Sequence, residues 1–177
     1  MIRYLLEKVS SEITMKEAFV KSVSEVFEKY KETKIILGDI GHFGFQHIWS
    51  DYKNKERYFN VGILEQTMVG FAAGLSKAGS YPLVHTITPF LVERPFEQIK
   101  IDIDEHCLPV TLIGNSDYPS HGPTHRPLNA EKLIDIFKNV VGYFPKSQFE
   151  TEKAMLDSYI MKKPAIICLK KDGLPFI

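Results

Sequence analysis

Glu65 is the residue whose surroundings most demand a chemical explanation. It lies in Gly62-Ile-Leu-Glu-Gln-Thr-Met-Val-Gly-Phe-Ala-Ala-Gly-Leu75, a run that is apolar nearly all round. At helical spacing its neighbours are Val61, Gly62, Met68 and Val69, none of which can carry a positive charge. A carboxylate buried without a partner either takes up a proton or binds a group that needs it. The nearby helix N-terminus favours the charged form. Acid–base work on a bound ligand is one reading of such a residue. The other is an ordinary acid in a first helical turn, half exposed.

The remaining candidates carry less specific chemistry. His121 and His125 lie in Ser-His-Gly-Pro-Thr-His. An i, i+4 pair outside a helix with no third ligand nearby is weak evidence for a metal. His85, inside an apolar strand pattern, reads as a hydrogen-bonded core histidine. Asp39 ends a strand and is either a contact to cofactor or neighbouring chain, or a structural acid. His42 and His47 share a segment with Phe43, Phe45 and Trp49, which reads as an interface or as a loop folded back on itself. Cys107 and Cys168 form no close metal-ligand pair, lie near predicted strands, and read as buried reduced thiols.

The elements that position these groups follow from periodicity. Residues 14–30 predict a helix capped by Thr14, with Ala18, Phe19, Val23, Val26 and Phe27 on its apolar face. Lys34–Ile40 predicts a strand covered on both faces. Gly41–Trp49 predicts a loop. A short strand carrying Tyr58, Phe59 and Val61 passes through Gly62 into the helix of residues 63–78. That helix is apolar all round and expects burial all round. Gln66, Gly70, Gly74 and Ala78 form a stripe of mostly small side chains along it. Two glycines inside a helix cost roughly 1 kcal/mol each, which points to a packing reason.

Further on, Leu83–Ile87 predicts a strand, Phe90–Glu105 a helix with Phe96, Ile99 and Ile103 on one face, and Pro109–Gly114 a strand. Asn115–Pro127 predicts a loop and Leu128–Val140 a helix that Asn129 can cap. Val140–Phe144 predicts a short strand, Gln148–Lys162 a helix and Ala165–Leu169 a last strand. This alternation implies an α/β fold of three layers, α/β/α, with a mostly parallel sheet. Ligands in such folds bind beyond the carboxyl ends of the strands, where Asp39, Phe90 and the Asn115–Pro127 loop fall.

Length and composition set the bounds. A chain of 177 residues, 44% hydrophobic and 25% charged, is one globular domain's worth, and residues 1–177 read as a single domain. A formal net charge of zero argues against nucleic-acid or membrane-surface binding by bulk electrostatics. No apolar run approaches a membrane span, and the N-terminus lacks a signal-peptide layout, so a cytoplasmic location is expected.

Beyond these local readings, Arg57-Tyr-Phe-Asn-Val-Gly-Ile-Leu-Glu65-Gln resembles the signature of the pyrimidine-binding domain of transketolase-like thiamine diphosphate enzymes. Lys34-Ile-Ile-Leu-Gly-Asp39, Pro82–Ile99 and Gly122-Pro-Thr-His125 resemble further blocks of that domain, in the family's order. The resemblance implies the thiamine diphosphate-binding fold. It implies that the Glu65 carboxyl group hydrogen-bonds N1′ of the aminopyrimidine and so activates the cofactor for transfer of a two-carbon ketol unit between sugars. It places Phe90 on the pyrimidine ring, Ile87 where the family carries another aromatic, and Asp39 and Arg94 among the cofactor-binding residues. His125 faces the substrate, and His121 stands where transketolases usually have an aspartate.

The Gly-Asp-Gly motif with a downstream Asn, which holds magnesium and diphosphate in this superfamily, is absent; Gly38-Asp39-Ile40 is the nearest pattern. The chain therefore resembles a detached pyrimidine-binding subunit. The expected partner is a separate diphosphate-binding chain that holds Mg²⁺, in an α2β2 assembly acting on sugar phosphates. Two alternatives remain: a subunit of a 2-oxo acid decarboxylase or dehydrogenase, and a non-catalytic flavodoxin-like regulatory module.

Overall fold

The computed structural model describes residues 13–115, 121–126 and 128–169. Its centre is a sheet of six parallel strands: β1 (Thr33–Leu37), β2 (Tyr58–Asn60), β3 (Tyr81–Ile87), β4 (Thr111–Asn115), β5 (Val141–Tyr143) and β6 (Ala165–Cys168). Their order is β2-β1-β3-β4-β6-β5. β3 is buried along its whole length, and its register sets His85 beside Leu37 on one side and Ile113 on the other. Runs of β-branched and aliphatic residues suit strands covered on both faces.

Two hydrophobic clusters cover those faces. Helices α1 (Met15–Lys29) and α5 (Gln148–Met161) pack Phe19, Val23, Phe27, Met155 and Tyr159 on one side. Helix α2 (Glu65–Lys77) and the segment that follows β3 pack Met68, Val69, Ala72, Leu91, Ile99 and Ile103 on the other. The caps are local. Thr14 and Glu17 form a reciprocal capping box, and Ser147 caps α5.

Several expectations are corrected. The predicted loop 41–49 is helical, as a 3₁₀ turn (His42–Phe45) and an α-turn (Gln46–Trp49), with Phe45 and Ile48 anchored in the core. The predicted helix 90–105 is broken. A five-residue helix α3 (Thr88–Val92) stops before Arg94-Pro95, and Phe96–Gln98 then runs into a π-helical stretch, Ile99–Asp104. Pro95 lacks an N–H and disfavours helical backbone at Arg94, which accounts for the break. Helix α4 (Ala130–Ile134), capped by Asn129, is shorter than predicted. Cys168 is buried, and burial pushes its thiol up to about 12, but Cys107 is exposed, in a turn with positive φ. Parts of the predicted loop 115–127 lie outside the described residues. No helix among the described residues is long and apolar enough to cross a membrane.

Candidate functional site

Glu65 opens α2. Val61 leaves β2 bonded to Leu37, and Gly62, at φ 76°, turns the chain so that Leu64 caps the helix without a side-chain bond. Glycine tolerates that φ without penalty. The turn is held by Asn60, whose Oδ1 accepts from Asp39 N at 3.0 Å and Gly62 N at 3.2 Å. Its Nδ2 donates to Asp39 Oδ1 at 3.3 Å. Asp39 itself adopts φ 65° and is exposed, so its contacts are with this turn. Asn60 is a positioning residue that the sequence reading passed over. An Asn at a strand end before a glycine was the available signal, since its short amide readily bonds nearby backbone.

The Glu65 side chain is 5% exposed. The partner that its own helix cannot supply comes from the broken limb after β3: Arg94 Nη1 donates to Glu65 Oε1 at 2.8 Å. The half-exposed first-turn acid that the sequence also allows is not what is seen. Glu65 Oε2 makes no hydrogen bond with any described residue. Arg94 is 42% exposed and its guanidinium lies 3.6 Å from the centre of the Phe90 ring. Phe90 is buried on α3, and its ring meets His125 edge-on at 4.9 Å. His125 lies in a 3₁₀ turn, Pro123–His125, that starts from Gly122; its Nδ1 pairs with Thr124 Oγ1, and His121 lies 5.4 Å from it, ring to ring. Glu93 fastens this region to α3, accepting from Leu128 N at 2.8 Å.

Five candidates from the sequence thus form one chain of contacts: Glu65, Arg94, Phe90, His125 and His121. Ile87 is buried at the end of β3. A cavity of about 340 Å³ opens at Glu65 and Arg94, walled by Ile63, Leu64, Gln66 and Thr67. Its apolar rim is exposed, Ile63 by 60% and Leu64 by 55%, so the burial expected all round this helix is not met within the chain. Gly74, on the stripe of small residues, has open space where a Cβ would point.

His85 sits behind the site in the core. Its Nδ1 donates to the Ile113 carbonyl at 2.9 Å, and complete burial pulls its pKa from 6.5 to about 4. A neutral imidazole wedged against Phe19 is the structural histidine expected. Among the described residues, no three His, Cys, Asp or Glu side chains gather as a possible metal site.

The sequence pattern described as the transketolase pyrimidine-binding domain matches residues 11–176. An uncharacterized 33.6 kDa protein of the fasciation locus of Rhodococcoides fascians is 32% identical, over 80% of this chain and 46% of its own length. A 1-deoxy-D-xylulose-5-phosphate synthase of Dictyoglomus thermophilum is also 32% identical, over 82% of this chain and 24% of its own. One of the subunits of the apulose-4-phosphate transketolase of Actinobacillus succinogenes is 31% identical, over 67% and 38%. This chain therefore spans less than half the length of each.

Among solved structures, a split gene transketolase described as an inactive beta4 tetramer superposes with a TM-score of 0.78 at 26% identity, covering 93% of this chain and 54% of that one. A transketolase of Campylobacter jejuni superposes at 0.81 and 16% identity over 97% and 29%, which speaks to the fold alone. The chain belongs to the family of transketolase pyrimidine-binding domains.

Proposed function

We propose that this chain is the pyrimidine-binding part of a thiamine diphosphate-dependent, transketolase-type enzyme that moves a two-carbon ketol unit between sugars. The observation that carries the reading is Glu65: a carboxylate 5% exposed, at the first turn of α2, beside a cavity and within one contact chain of Phe90 and His125. The residues fit an aminopyrimidine. A nearly buried carboxylate offers an acceptor for the N–H of a ring protonated at N1′, and a phenyl ring close by offers a stacking face, worth roughly 0.5–1.5 kcal/mol beyond area burial.

When bound, thiamine diphosphate supplies a nucleophilic thiazolium carbon. The work of this chain is to prepare it. Glu65 would hold or share the proton at pyrimidine N1′ through its carboxylate. The apolar rim of Ile63 and Leu64 would exclude water, which strengthens that exchange. His125 would present its imidazole to the substrate, with His121 as the variable position on the same loop. Ile87 and Asp39 would flank the ring and the strand ends.

The diphosphate and its Mg²⁺ are assigned to a counterpart chain, because Gly-Asp-Gly is absent from the sequence. One similar protein is named as a split gene transketolase and another as a single subunit of a transketolase. Both names support a two-chain arrangement, here proposed as α2β2, with residues 1–177 as one domain. A second reading, a 2-oxo acid donor and a decarboxylating reaction, stays beside it because one relative is named as a synthase of a deoxyxylulose phosphate and not as a transketolase.

The test is reconstitution with a chain that carries Gly-Asp-Gly and a downstream Asn, assayed with ketose phosphates and with 2-oxo acids. Glu65→Gln should lower turnover by roughly 10²–10⁴-fold at saturating cofactor. Near wild-type turnover refutes the role of Glu65, and turnover by this chain alone refutes the two-chain arrangement.

A further inference from the structure

Both groups that the proposed function reserves for the aminopyrimidine are already engaged, and by one side chain. Arg94 donates to Glu65 Oε1 at 2.8 Å and lays its guanidinium 3.6 Å from the centre of the Phe90 ring. A guanidinium is planar, delocalised and cationic; it donates in its own plane and stacks on aromatic faces. An aminopyrimidine protonated at N1′ presents the same two features, an in-plane N–H donor and a flat face. Arg94 also lines the cavity beside Glu65, and its side chain is 42% exposed.

The backbone on either side of Arg94 is tied down. Glu93 N bonds to Pro89 O, the Glu93 carboxylate holds Leu128 N, and Ile99 N bonds to Pro95 O. Withdrawal of the guanidinium is therefore a rotamer change of one long side chain, with open solvent to receive it.

We propose that Arg94 is a place-holder: it engages the Glu65 carboxylate and the Phe90 stacking face in the cofactor-free chain, and the aminopyrimidine displaces it. This rests on the reading of Glu65 as the ring's acceptor. The device solves a physical problem. A carboxylate this buried is costly without a compensating charge, and Arg94 supplies one until a ligand arrives. It also sets the affinity, because a ligand that must wait for the open state binds more weakly by the fraction of chains that are open.

Thiamine is the probe, since it carries the aminopyrimidine but no diphosphate and needs no metal. The full chain is titrated with it and followed by NMR, including the arginine side-chain Nε–H signals. In the wild type, thiamine should move the Arg94 signal to the position of a solvent-exposed arginine. Arg94→Ala should bind thiamine about 10-fold more tightly if the open state is about a tenth of the population. Arg94→Lys, which keeps the charge but loses the planar fork, should lie between. The same spectra report whether Arg94→Ala is folded, and Arg94→Lys carries the comparison if it is not.

Equal or weaker thiamine binding by both variants overturns the place-holder, as does an Arg94 signal that stays put when thiamine binds. The double variant Glu65→Gln/Arg94→Ala should lose the gain. If the gain persists there, displacement stands and Glu65 is not the ring's acceptor. No thiamine binding by any form overturns the place-holder.

Discussion

Asp104 should be worth several kilocalories per mole to this fold. It ends the π-helical stretch, is buried, and holds the approach to β5 through its carboxylate. Oδ1 accepts from Asn139 N at 2.6 Å and Val140 N at 3.0 Å, and Oδ2 accepts from Lys138 N at 3.0 Å. Asp104→Ala orphans three backbone donors at once. A hydrogen bond to a charged group contributes about 1.5–3 kcal/mol, and these donors are only part-buried, so water recovers part of each. A total loss of roughly 3 kcal/mol is expected, which for a chain of this size is a fall in Tm of roughly 6–12 °C. Asp104→Asn keeps one acceptor but turns an NH₂ toward backbone N–H groups, and should lose nearly as much. Urea unfolding followed by circular dichroism, at one fixed protein concentration, measures both. A loss below about 1 kcal/mol in Asp104→Ala at unchanged m-value would show that the bonds are replaced by solvent, and the reasoning fails.

Two further predictions concern the core behind the site. His85 titrates near 6.5 unfolded but is held neutral to about 4 in the fold by burial. The unfolded chain therefore binds more protons between those values, so stability is fully present above 6.5 and declines as pH falls toward 4, by up to about 3 kcal/mol; in urea unfolding across pH 4–7, His85→Gln should flatten this slope, and an unchanged slope refutes the assignment. Gly41 has φ 81°, and an added Cβ would stand 2.8 Å from His85 Cδ2 and 2.9 Å from Nε2. Gly41→Ala should cost about 2–3 kcal/mol from left-handed strain and overpacking together, read by the same unfolding assay.

Much of this fold was legible because the decisive interactions are local. Thr14 and Glu17 lie three residues apart and cap α1 on their own, and Ser147 does the same for α5. The mostly apolar strands signal a sheet covered on both sides, and β3 is buried along its length. The errors are non-local or arise where two rules compete. Apolar spacing through Phe96, Ile99 and Ile103 suggested one helix, and all three do face inward, but Pro95 splits it and the π-helical stretch restarts it. Within the site, the oddity of Glu65 was visible from its apolar neighbours. Its partner was not, because Arg94 lies 29 residues away and meets it only through the fold. Cys107 was misread because its tight turn next to β4 exposes what strand-like neighbours suggested would be buried.

The break at Pro95 and the pairing of Glu65 are the same event seen from two ends. A straight helix through residues 90–105 would also set Phe90 and Arg94 as neighbours one turn apart on one face, so the break matters for the reach of Arg94 to α2 rather than for its contact with Phe90. Stopping at Val92 leaves Arg94 in a linking segment, from which it folds back over Phe90 and reaches α2. The helix break thus brings a charge from one element to a carboxylate on another, and does so beside the cavity. The rim of that cavity still leaves Ile63 and Leu64 exposed by more than half. Apolar surface adjoining a half-exposed ion pair is a costly thing to leave wet, at about 25 cal/mol per Å² for the apolar part alone. On the proposed reading, the counterpart chain therefore does more than hold the metal. Covering that rim would remove water from the Glu65 carboxylate, and the acid–base exchange at the ring would then gain strength only once both chains and the cofactor were in place.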